Sequence, residues 1–134
     1  MNPVSRSENM RRIRSKDTGP EMLVRRLVHR LGFRFRLHRR ELPGKPDLAF
    51  IGLRKVIFVH GCFWHQHAKM GCTDARLPKT RSDYWLPKLA RNAERDAQHL
   101  SALKAEGWRA LVIWDCETRD LQKLEKRVLR FLAA

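Results

Sequence analysis

The sequence predicts an α/β domain whose helices and strands follow one another in the order α-β-β-β-α-β-α. Apolar residues recur at helical spacing in three segments, and they alternate with polar residues or run continuously in four shorter ones. Glycine or proline stands at most of the boundaries between these segments. The chain has 134 residues and is 43% hydrophobic, which suits one core. We therefore expect residues 1–134 to form a single domain.

The first predicted helix follows a polar arm. Residues 1–17 are basic and lack apolar periodicity, which is typical of an arm. Thr18 and Glu21 have the spacing of a capping box, and Pro20 suits a first helical turn. Gly32 stands where a helix commonly ends. The apolar face between these limits consists of Met22, Leu23, Leu27, Val28 and Leu31.

Three strands are predicted to follow this helix. Residues 33–37 alternate apolar and basic side chains, a pattern typical of a half-buried strand. The prolines and glycine of residues 43–46 form a rigid turn that leads into Asp47 and a second strand at residues 48–51. Residues 56–59 are continuously apolar, which predicts a central strand.

The second half of the chain is predicted to hold a loop, a long helix, a strand and a closing helix. Residues 60–81 resemble a loop. The long helix should begin near Trp85, because Pro87 fits a first turn better than an interior, and Gly107 should end it. Its predicted apolar face is Leu86, Leu89, Ala93, Ala97, Leu100 and Leu103. Residues 110–114 form the last strand, and the closing helix has Leu121, Leu124, Val128 and Leu132 on one face.

Charge is the most unusual property of the composition. The chain has 29 Lys and Arg against 14 Asp and Glu, a net charge of +15, and its pI is near 11.0. Such a surplus favours a polyanionic partner, above all nucleic acid. No apolar run approaches a membrane span, and the N-terminus lacks a signal-peptide pattern. With an odd cysteine count, we expect an intracellular protein whose thiols bind metal or are buried.

The three cysteines and one histidine form a candidate zinc site. Cys62, His67 and Cys72 are separated by four residues each, and Cys116 directly follows the last strand. Three thiolates and one imidazole would close a tetrahedral Zn²⁺ site without an open position. The alternative is three unrelated buried thiols. His60 or His65 could also replace His67 as the imidazole ligand.

Asp47, His60 and His65 are candidates for hydrolytic chemistry. A carboxylate at the start of a strand can bind Mg²⁺, which activates water and neutralises a scissile phosphate. Asp47 lies opposite His60 if the second and third strands form a hairpin. The imidazoles suit general acid or base work. Asp47 could instead be an ordinary turn residue.

Several large apolar side chains are candidates for DNA intercalation. Phe63, Trp64 and Trp85 stand near loop or helix starts, and Met10 lies in the basic arm. Exposed apolar side chains of this kind can unstack base steps. Ordinary core packing is the alternative for each aromatic, and we assign Trp108 and Trp114 to the core.

The runs PGKPDLAF, VIFVHGCFWHQH, TRSDYWLPKLARNAERD and GWRALVIWDC resemble the very-short-patch repair endonucleases over residues 6–116. The resemblance implies a restriction-endonuclease-like fold with an α-β-β-β-α-β core and a mixed sheet flanked by helices. It further implies Mg²⁺-dependent hydrolysis that nicks one DNA strand beside the thymine of a T·G mismatch. Such mismatches arise when 5-methylcytosine deaminates.

The resemblance also assigns roles to residues. Asp47 and the backbone carbonyl of Val59 would bind Mg²⁺, His65 would act with the attacking water, His60 would support it, and Glu21 would lie near them. The implied zinc ligands are Cys62, His67, Cys72 and Cys116, and the implied intercalating residues are Met10, Phe63, Trp64 and Trp85. Two features depart from the family pattern: Val59 replaces a threonine of some members, and the four residues between His67 and Cys72 make a longer spacing than expected.

Two rival functions stay open at this point. The first is a restriction-type nuclease that cuts intact duplex DNA, and the second is a zinc-stabilised DNA-binding module without catalysis. The repair function would be linked to a cytosine-5 DNA methyltransferase and to mismatch-repair proteins. We expect a monomer, because nicking needs one active site, and a location in the bacterial cytoplasm with the nucleoid.

Overall fold

The computed structural model describes residues 18–62 and 82–134 of the chain. In these ranges the helices and strands follow the predicted order, with two short 3-10 helices in addition. The elements are α1 (Gly19–Arg30), β1 (Arg36–Leu37), β2 (Leu48–Phe50), β3 (Lys55–His60), α2 (Ser82–Ala105), β4 (Arg109–Trp114) and α3 (Leu121–Ala133). The 3-10 helices are Ile51–Leu53 and Asp115–Arg119.

The four strands form one mixed sheet in the order β1-β2-β3-β4. β1 and β2 pair antiparallel, as do β2 and β3, whereas β3 and β4 run parallel. The parallel register joins Lys55 to Arg109 at one end and His60 to Trp114 at the other. Because β3 and β4 point the same way, the residues that follow both strands emerge at one edge of the sheet.

Helices cover both faces of this sheet. On one face, α1 and α3 pack their buried residues against alternate strand residues; this cluster includes Val24, Leu27, Val28, Leu124, Val128 and Leu132 with Leu48, Phe50, Ile57 and Ile113. On the other face, Leu103 of α2 packs against Ala49, Val56 and Phe58. The central position predicted for residues 56–59 is confirmed, since β3 lies between β2 and β4. In the described ranges, no helix is long and apolar enough to cross a bilayer.

Helix α1 begins and ends as its sequence predicts. The Thr18 hydroxyl accepts a hydrogen bond from the Glu21 N–H at 3.4 Å, and Pro20 lies in the first turn. Arg30 is the last helical residue, and Gly32 follows with φ of +91°. A glycine adopts this left-handed conformation without a Cβ clash, which is why the helix stops there.

Strand β1 is shorter than the alternating pattern predicts. Only Arg36 and Leu37 pair with β2, while Phe33 and Phe35 reach the core outside regular strand geometry. Leu37 is exposed rather than buried. His38 directly after it has φ of +46°, a left-handed conformation that ends the strand and reverses the expected alternation.

Helix α2 differs from its prediction in both its start and its buried face. It begins at Ser82, so Pro87 lies in the interior and leaves a carbonyl of the preceding turn without its helical N–H partner. Trp85 is only 6% exposed, whereas Leu86 is 49% exposed, and Ala93 faces solvent. The predicted face is confirmed at Leu89 and Leu103, which are buried, and Leu100 is half-buried, while Trp85 and the polar Asn92 complete the buried side.

Lys55 is a buried cation at the start of β3. Its Nζ donates hydrogen bonds to the carbonyl oxygens of Phe131, Leu132 and Ala134 at 2.7, 3.3 and 2.9 Å. The last carbonyls of a helix lack intrahelical donors and carry partial negative charge. Lys55 therefore caps α3 and ties it to the central strand.

We predict that Lys55→Met lowers the free energy of unfolding by about 1–3 kcal/mol, because three buried or half-buried carbonyls lose their donor. Urea unfolding followed by circular dichroism measures the change. Lys126→Met removes an exposed lysine of the same helix and should change stability by less than about 0.5 kcal/mol. Equal effects of the two variants would contradict the capping role.

Candidate active site

The turn before β2 fixes the backbone that carries Asp47. Gly44 and Lys45 both have positive φ, of +78° and +50°. A Cβ on Gly44 would come within 3.0 Å of the Phe58 ring and the His99 side chain, so glycine meets both the steric and the conformational requirement. The carboxylate Oδ2 of Asp47 then accepts a hydrogen bond from the Val59 N–H at 2.7 Å. Asp47 is thereby fastened to the end of β3.

Glu21 lies beside Asp47, although it comes from a helix on one face of the sheet. Its side chain is buried, with the residue only 2% exposed. Its Oε2 forms an ion pair with Arg25 one turn along α1, and it lies 3.0 Å from Nε2 of His38. Ligand atoms of Glu21, His38 and Asp47 all lie within 4.8 Å of one another. Three separate elements thus converge on one polar cluster.

The surroundings of Asp47 raise the pKa of its carboxyl to about 7. Burial is the main cause, and the hydrogen bond and negative charge of Glu21 add to it. The Val59 N–H and the Arg25 guanidinium act in the opposite direction but are weaker. Asp47 consequently holds a proton near neutral pH that a bound cation would displace.

The donor set of this cluster fits a divalent cation. Two carboxylates supply the oxygen ligands that hard cations prefer, and an imidazole is compatible with first-row transition metals. The Val59 carbonyl stands on the residue whose N–H already binds Asp47. Burial, with a smaller contribution from Glu21, raises the pKa of Asp47, and a cation bound at the two carboxylates would lower it.

A cleft of about 710 Å³ opens beside Asp47. Asp47, Val59 and His60 line its sheet side, and residues of α2 and of the turn before β2 line the rest. The basic residues in this lining are Arg40, Lys45 and Arg95. The acidic residues Glu41, Asp96 and Glu106 line it as well, so the cleft has mixed charge and offers an anionic group basic side chains beside the carboxylates.

His60 is a buried imidazole on the cleft wall. Its ring lies between the aromatic rings of Phe58 and Trp114, with centroids 5.6 and 5.3 Å away. The register pairs Leu48 with Ile57, and its continuation puts Asp47 opposite Phe58 rather than opposite His60 as the sequence predicts, while the Asp47 carboxylate binds the Val59 N–H. The two side chains nevertheless line the same cleft.

Sequence reasoning missed two members of the polar cluster. His38 continues the alternation of residues 33–37 as a polar position, which predicts an outward side chain, and no local pattern marks its left-handed backbone. Arg25 could have been found, because it stands four residues after Glu21, the spacing of an ion pair on one helix face. The remaining predicted residues of this region, Glu21, Asp47, Val59 and His60, come together.

The structure places only part of the predicted zinc and intercalation sets. Met10, Phe63, Trp64, His65, His67 and Cys72 lie outside the described residues. Trp85 is described, and it is buried against Tyr84 with ring centroids 4.8 Å apart. The expectation of an exposed ring at Trp85 is therefore wrong. Helix α2 begins at Ser82, before the predicted start, and Trp85 faces the protein.

Cys62 and Cys116 occupy equivalent positions after two neighbouring parallel strands. Each stands two residues beyond the last pair of the β3–β4 register, His60 with Trp114. Cys62 is buried, and Cys116 is half-buried in the 3-10 helix after β4. Glu117 accepts the Trp114 N–H at 3.0 Å and also binds Arg127, which holds that helix. Both thiols thus emerge at the same edge of the sheet.

Comparison with known proteins gives consistent matches. Residues 1–70 match the sequence model of the family described as DNA mismatch endonuclease Vsr. The type II nicking enzyme V.XorIIP of Xanthomonas oryzae pv. oryzae is 52% identical over 98% of this chain and 95% of its own. The DNA mismatch endonuclease Vsr of Escherichia coli strain K12 is 42% identical over 94% of this chain and 79% of its own.

A solved structure confirms the expected fold. The catalytic domain of the homing endonuclease I-Bth0305I matches 87% of this chain and 96% of its own, with a TM-score of 0.60. The two sequences are 20% identical, so the likeness concerns the fold alone. Together with the mixed sheet flanked by helices, it agrees with a restriction-endonuclease-like architecture.

We predict that Asp47→Asn stabilises the metal-free protein at about pH 8. Folding raises the pKa of Asp47 from 3.8 to about 7, so the folded state holds a proton that the unfolded chain releases between these values. Wild-type stability therefore falls as pH rises through this window. The asparagine avoids this loss, keeps an acceptor for the Val59 N–H, and should gain on the order of 1–3 kcal/mol.

Urea unfolding in EDTA at several pH values measures this difference, which should shrink toward zero near pH 4. Asp120→Asn is the matched control, because Asp120 caps α3 at the surface and asparagine caps a helix equally well. A gain from Asp47→Asn that did not depend on pH would contradict the assignment of the raised pKa.

Proposed function

Since this chain belongs to the family of Vsr DNA mismatch endonucleases, we propose that it nicks one strand of duplex DNA beside the thymine of a T·G mismatch. The reaction would be hydrolysis of a phosphodiester bond that depends on Mg²⁺. One observation of the structure carries the proposal: Asp47, held by the Val59 N–H beside buried Glu21, opens onto a cleft whose mixed lining includes Arg40, Lys45 and Arg95.

The proposed roles follow from these positions. Asp47 and the Val59 carbonyl would hold Mg²⁺, with Glu21 beside them. When bound, Mg²⁺ supplies charge neutralisation at the phosphate and a more acidic water. His65 would take the proton of the attacking water, and His60 would support the phosphate from the cleft wall. The rings on either side of His60 restrict its imidazole to that wall.

Basic residues of the cleft would bind the DNA backbone. Arg40, Lys45 and Arg95 surround the entrance to Asp47, where phosphate contacts position a duplex without reading its sequence. The net charge of +15 adds a longer-range attraction for DNA. Recognition of the mismatch would rest on Met10, Phe63 and Trp64, which we propose unstack the weak base pair.

We also propose a structural Zn²⁺ bound by Cys62, His67, Cys72 and Cys116. The equivalent positions of Cys62 and Cys116 after β3 and β4 support it, because ligands that follow two neighbouring parallel strands emerge at the same edge and can contribute to one tetrahedral site. A closed set of three thiolates and one imidazole leaves no position for substrate. The ion would hold the two strand ends together.

The cellular setting is part of the same proposal. One active site suffices for nicking, so the enzyme would act as a monomer in the bacterial cytoplasm, with the nucleoid. Its substrate would arise by deamination of 5-methylcytosine, which implies a functional link to a cytosine-5 DNA methyltransferase and to mismatch-repair proteins.

The test is incubation of the enzyme with labelled duplexes containing T·G, another mismatch or no mismatch, in Mg²⁺ or EDTA. We expect one nick, only on the thymine strand of T·G DNA and only with Mg²⁺. Asp47→Asn should bind but not cleave, since a neutral amide weakens the metal ligand without changing shape. Cleavage of both strands of matched DNA would favour the restriction-type alternative, and binding without cleavage would favour the non-catalytic module.

We predict that Cys116→Ser lowers the melting temperature and the zinc content together, because metal binding contributes folding free energy. Calorimetry and elemental analysis of the same samples measure both. Thr118→Val is the matched control, since it removes only the hydrogen bond to the Asp115 carbonyl, 2.7 Å long, in the same 3-10 helix. This control should retain its zinc. A stably folded wild type without zinc would sink the zinc proposal.

We predict that Trp64→Ala weakens binding to T·G duplex by roughly 1–3 kcal/mol, the range for losing one base–aromatic stack. Binding to matched DNA and its salt dependence should hardly change, because they rest on Lys and Arg. Trp85→Ala is the contrasting variant: truncation of this buried ring should lower stability by about 3–5 kcal/mol. Fluorescence anisotropy on both duplexes at two salt concentrations distinguishes them, and equal losses for Trp64→Ala on both would make Trp64 a packing residue.

A further inference from the structure

We infer that His38 is a positioning residue that fixes the carboxylate of Glu21 in its orientation beside Asp47. The inference rests on the proposed metal-dependent chemistry at Asp47. His38 lies in the connection between β1 and β2, and the roles proposed above for Mg²⁺ binding and catalysis do not include it, although its imidazole belongs to the polar cluster with Glu21 and Asp47.

The backbone of His38 is shaped to aim its side chain inward. Its φ of +46° is uncommon for a residue with a Cβ and disfavoured by sterics. The exposed neighbours Arg36 and Leu37 point outward, whereas the His38 side chain is 22% exposed and reaches the buried Glu21. A strained conformation that persists is held by surrounding contacts, and such residues concentrate at functional sites.

His38 is bonded to both acidic residues of the site. Its backbone N–H donates to the carbonyl oxygen of Asp47 at 3.3 Å, and its imidazole Nε2 lies 3.0 Å from Oε2 of Glu21. With Nε2 protonated, the imidazole donates to the carboxylate. The first bond ties His38 to the strand that carries Asp47, and the second extends that tie to α1. His38 therefore links the two acidic residues, which come from different elements, in addition to their direct hydrogen bond.

Arg25 holds Glu21 from within the same helix, and its charge also acts on Asp47. It contacts the same Oε2 of Glu21, but it stands on the same helix, so their pairing moves with α1. His38 approaches from the sheet side and defines where Glu21 stands relative to Asp47. Arg25 and His38 both bind Oε2 of Glu21, which leaves the second carboxylate oxygen to face Asp47. This position agrees with the hydrogen bond and the negative charge by which Glu21 raises the pKa of Asp47.

The experiment compares His38→Gln with His38→Asn. The glutamine amide reaches the position of the imidazole Nε2, whereas the asparagine amide is one methylene shorter and cannot reach Glu21. Both substitutes are polar, and asparagine tolerates the left-handed backbone better than most residues. A loss in His38→Asn therefore reflects the shorter side chain rather than a failure to fold. Leu37→Ala, an exposed neighbour on β1, controls for disturbance of the strand.

The readouts are Mn²⁺ affinity of the DNA-free protein, measured by electron paramagnetic resonance, and the single-turnover nicking rate on T·G duplex at saturating enzyme. Loss of a residue that orients a metal site typically costs about 10–100-fold in metal affinity or activity. We expect that loss for His38→Asn in both readouts, with melting temperature and DNA affinity unchanged. His38→Gln and Leu37→Ala should stay within about threefold of wild type on the same scale.

A double-mutant cycle identifies the residue through which His38 acts. In a Glu21→Gln background, His38→Asn should cause little further loss, because the carboxylate that it orients is gone. The inference is overturned if His38→Asn matches wild type in both readouts, or if its effect multiplies unchanged onto Glu21→Gln. A wild type that binds Mn²⁺ but does not nick T·G DNA would instead overturn the proposed function, and the Mn²⁺ affinities would still decide the role of His38.

Discussion

The hydrogen bond from the Val59 N–H to Asp47 is the contact on which the arrangement of the site depends. It joins Asp47, the residue before β2, to the backbone of Val59 near the end of β3, and these two strands are antiparallel neighbours. Because β4 runs parallel to β3, its end reaches the same edge. A one-residue slip of β2 against β3 would turn Asp47 to the opposite face of the sheet. The buried pairs Leu48–Ile57 and Ala49–Val56 fix that register and therefore fix the site.

The site at this edge of the sheet concentrates negative charge, whereas the whole molecule is strongly positive. The chain has a net charge of +15, yet two carboxylates lie side by side beneath the cleft. Their mutual repulsion and burial are relieved by protonation, which is why the pKa of Asp47 rises to about 7, and a cation would relieve them as well. The basic surplus acts on the phosphates of DNA over several ångströms, whereas the carboxylates act on a cation at contact distance. Both charge distributions suit one reaction on a polyanion.

The sequence predicts this fold well where a physical rule is local. The cap at Thr18, the stop at Gly32 and the continuous apolar run of β3 each depend on neighbouring residues, and each prediction is confirmed. Two features that depend on tertiary geometry were not predictable. The burial of Trp85 and Asn92 in place of Leu86 and Ala93 on α2 depends on where the helix starts and packs, and the inward position of His38 depends on Glu21 from a different element. Asp47 could be found from its strand start, whereas its partners required the three-dimensional structure.

The geometry of β3 links the proposed zinc site to the proposed active site. Val59, His60 and Cys62 lie within four consecutive residues, so an ion bound by Cys62 and Cys116 would restrain the backbone that donates to Asp47. On the neighbouring strand β4, Glu117 accepts a hydrogen bond from the Trp114 N–H, and the Trp114 ring packs against His60. His60 is therefore restrained from two strands, by the proposed ion at Cys62 after β3 and by the Trp114 ring of β4. A structural metal two residues from a cleft wall can serve catalysis without contacting substrate, because it limits the positions that the wall can adopt.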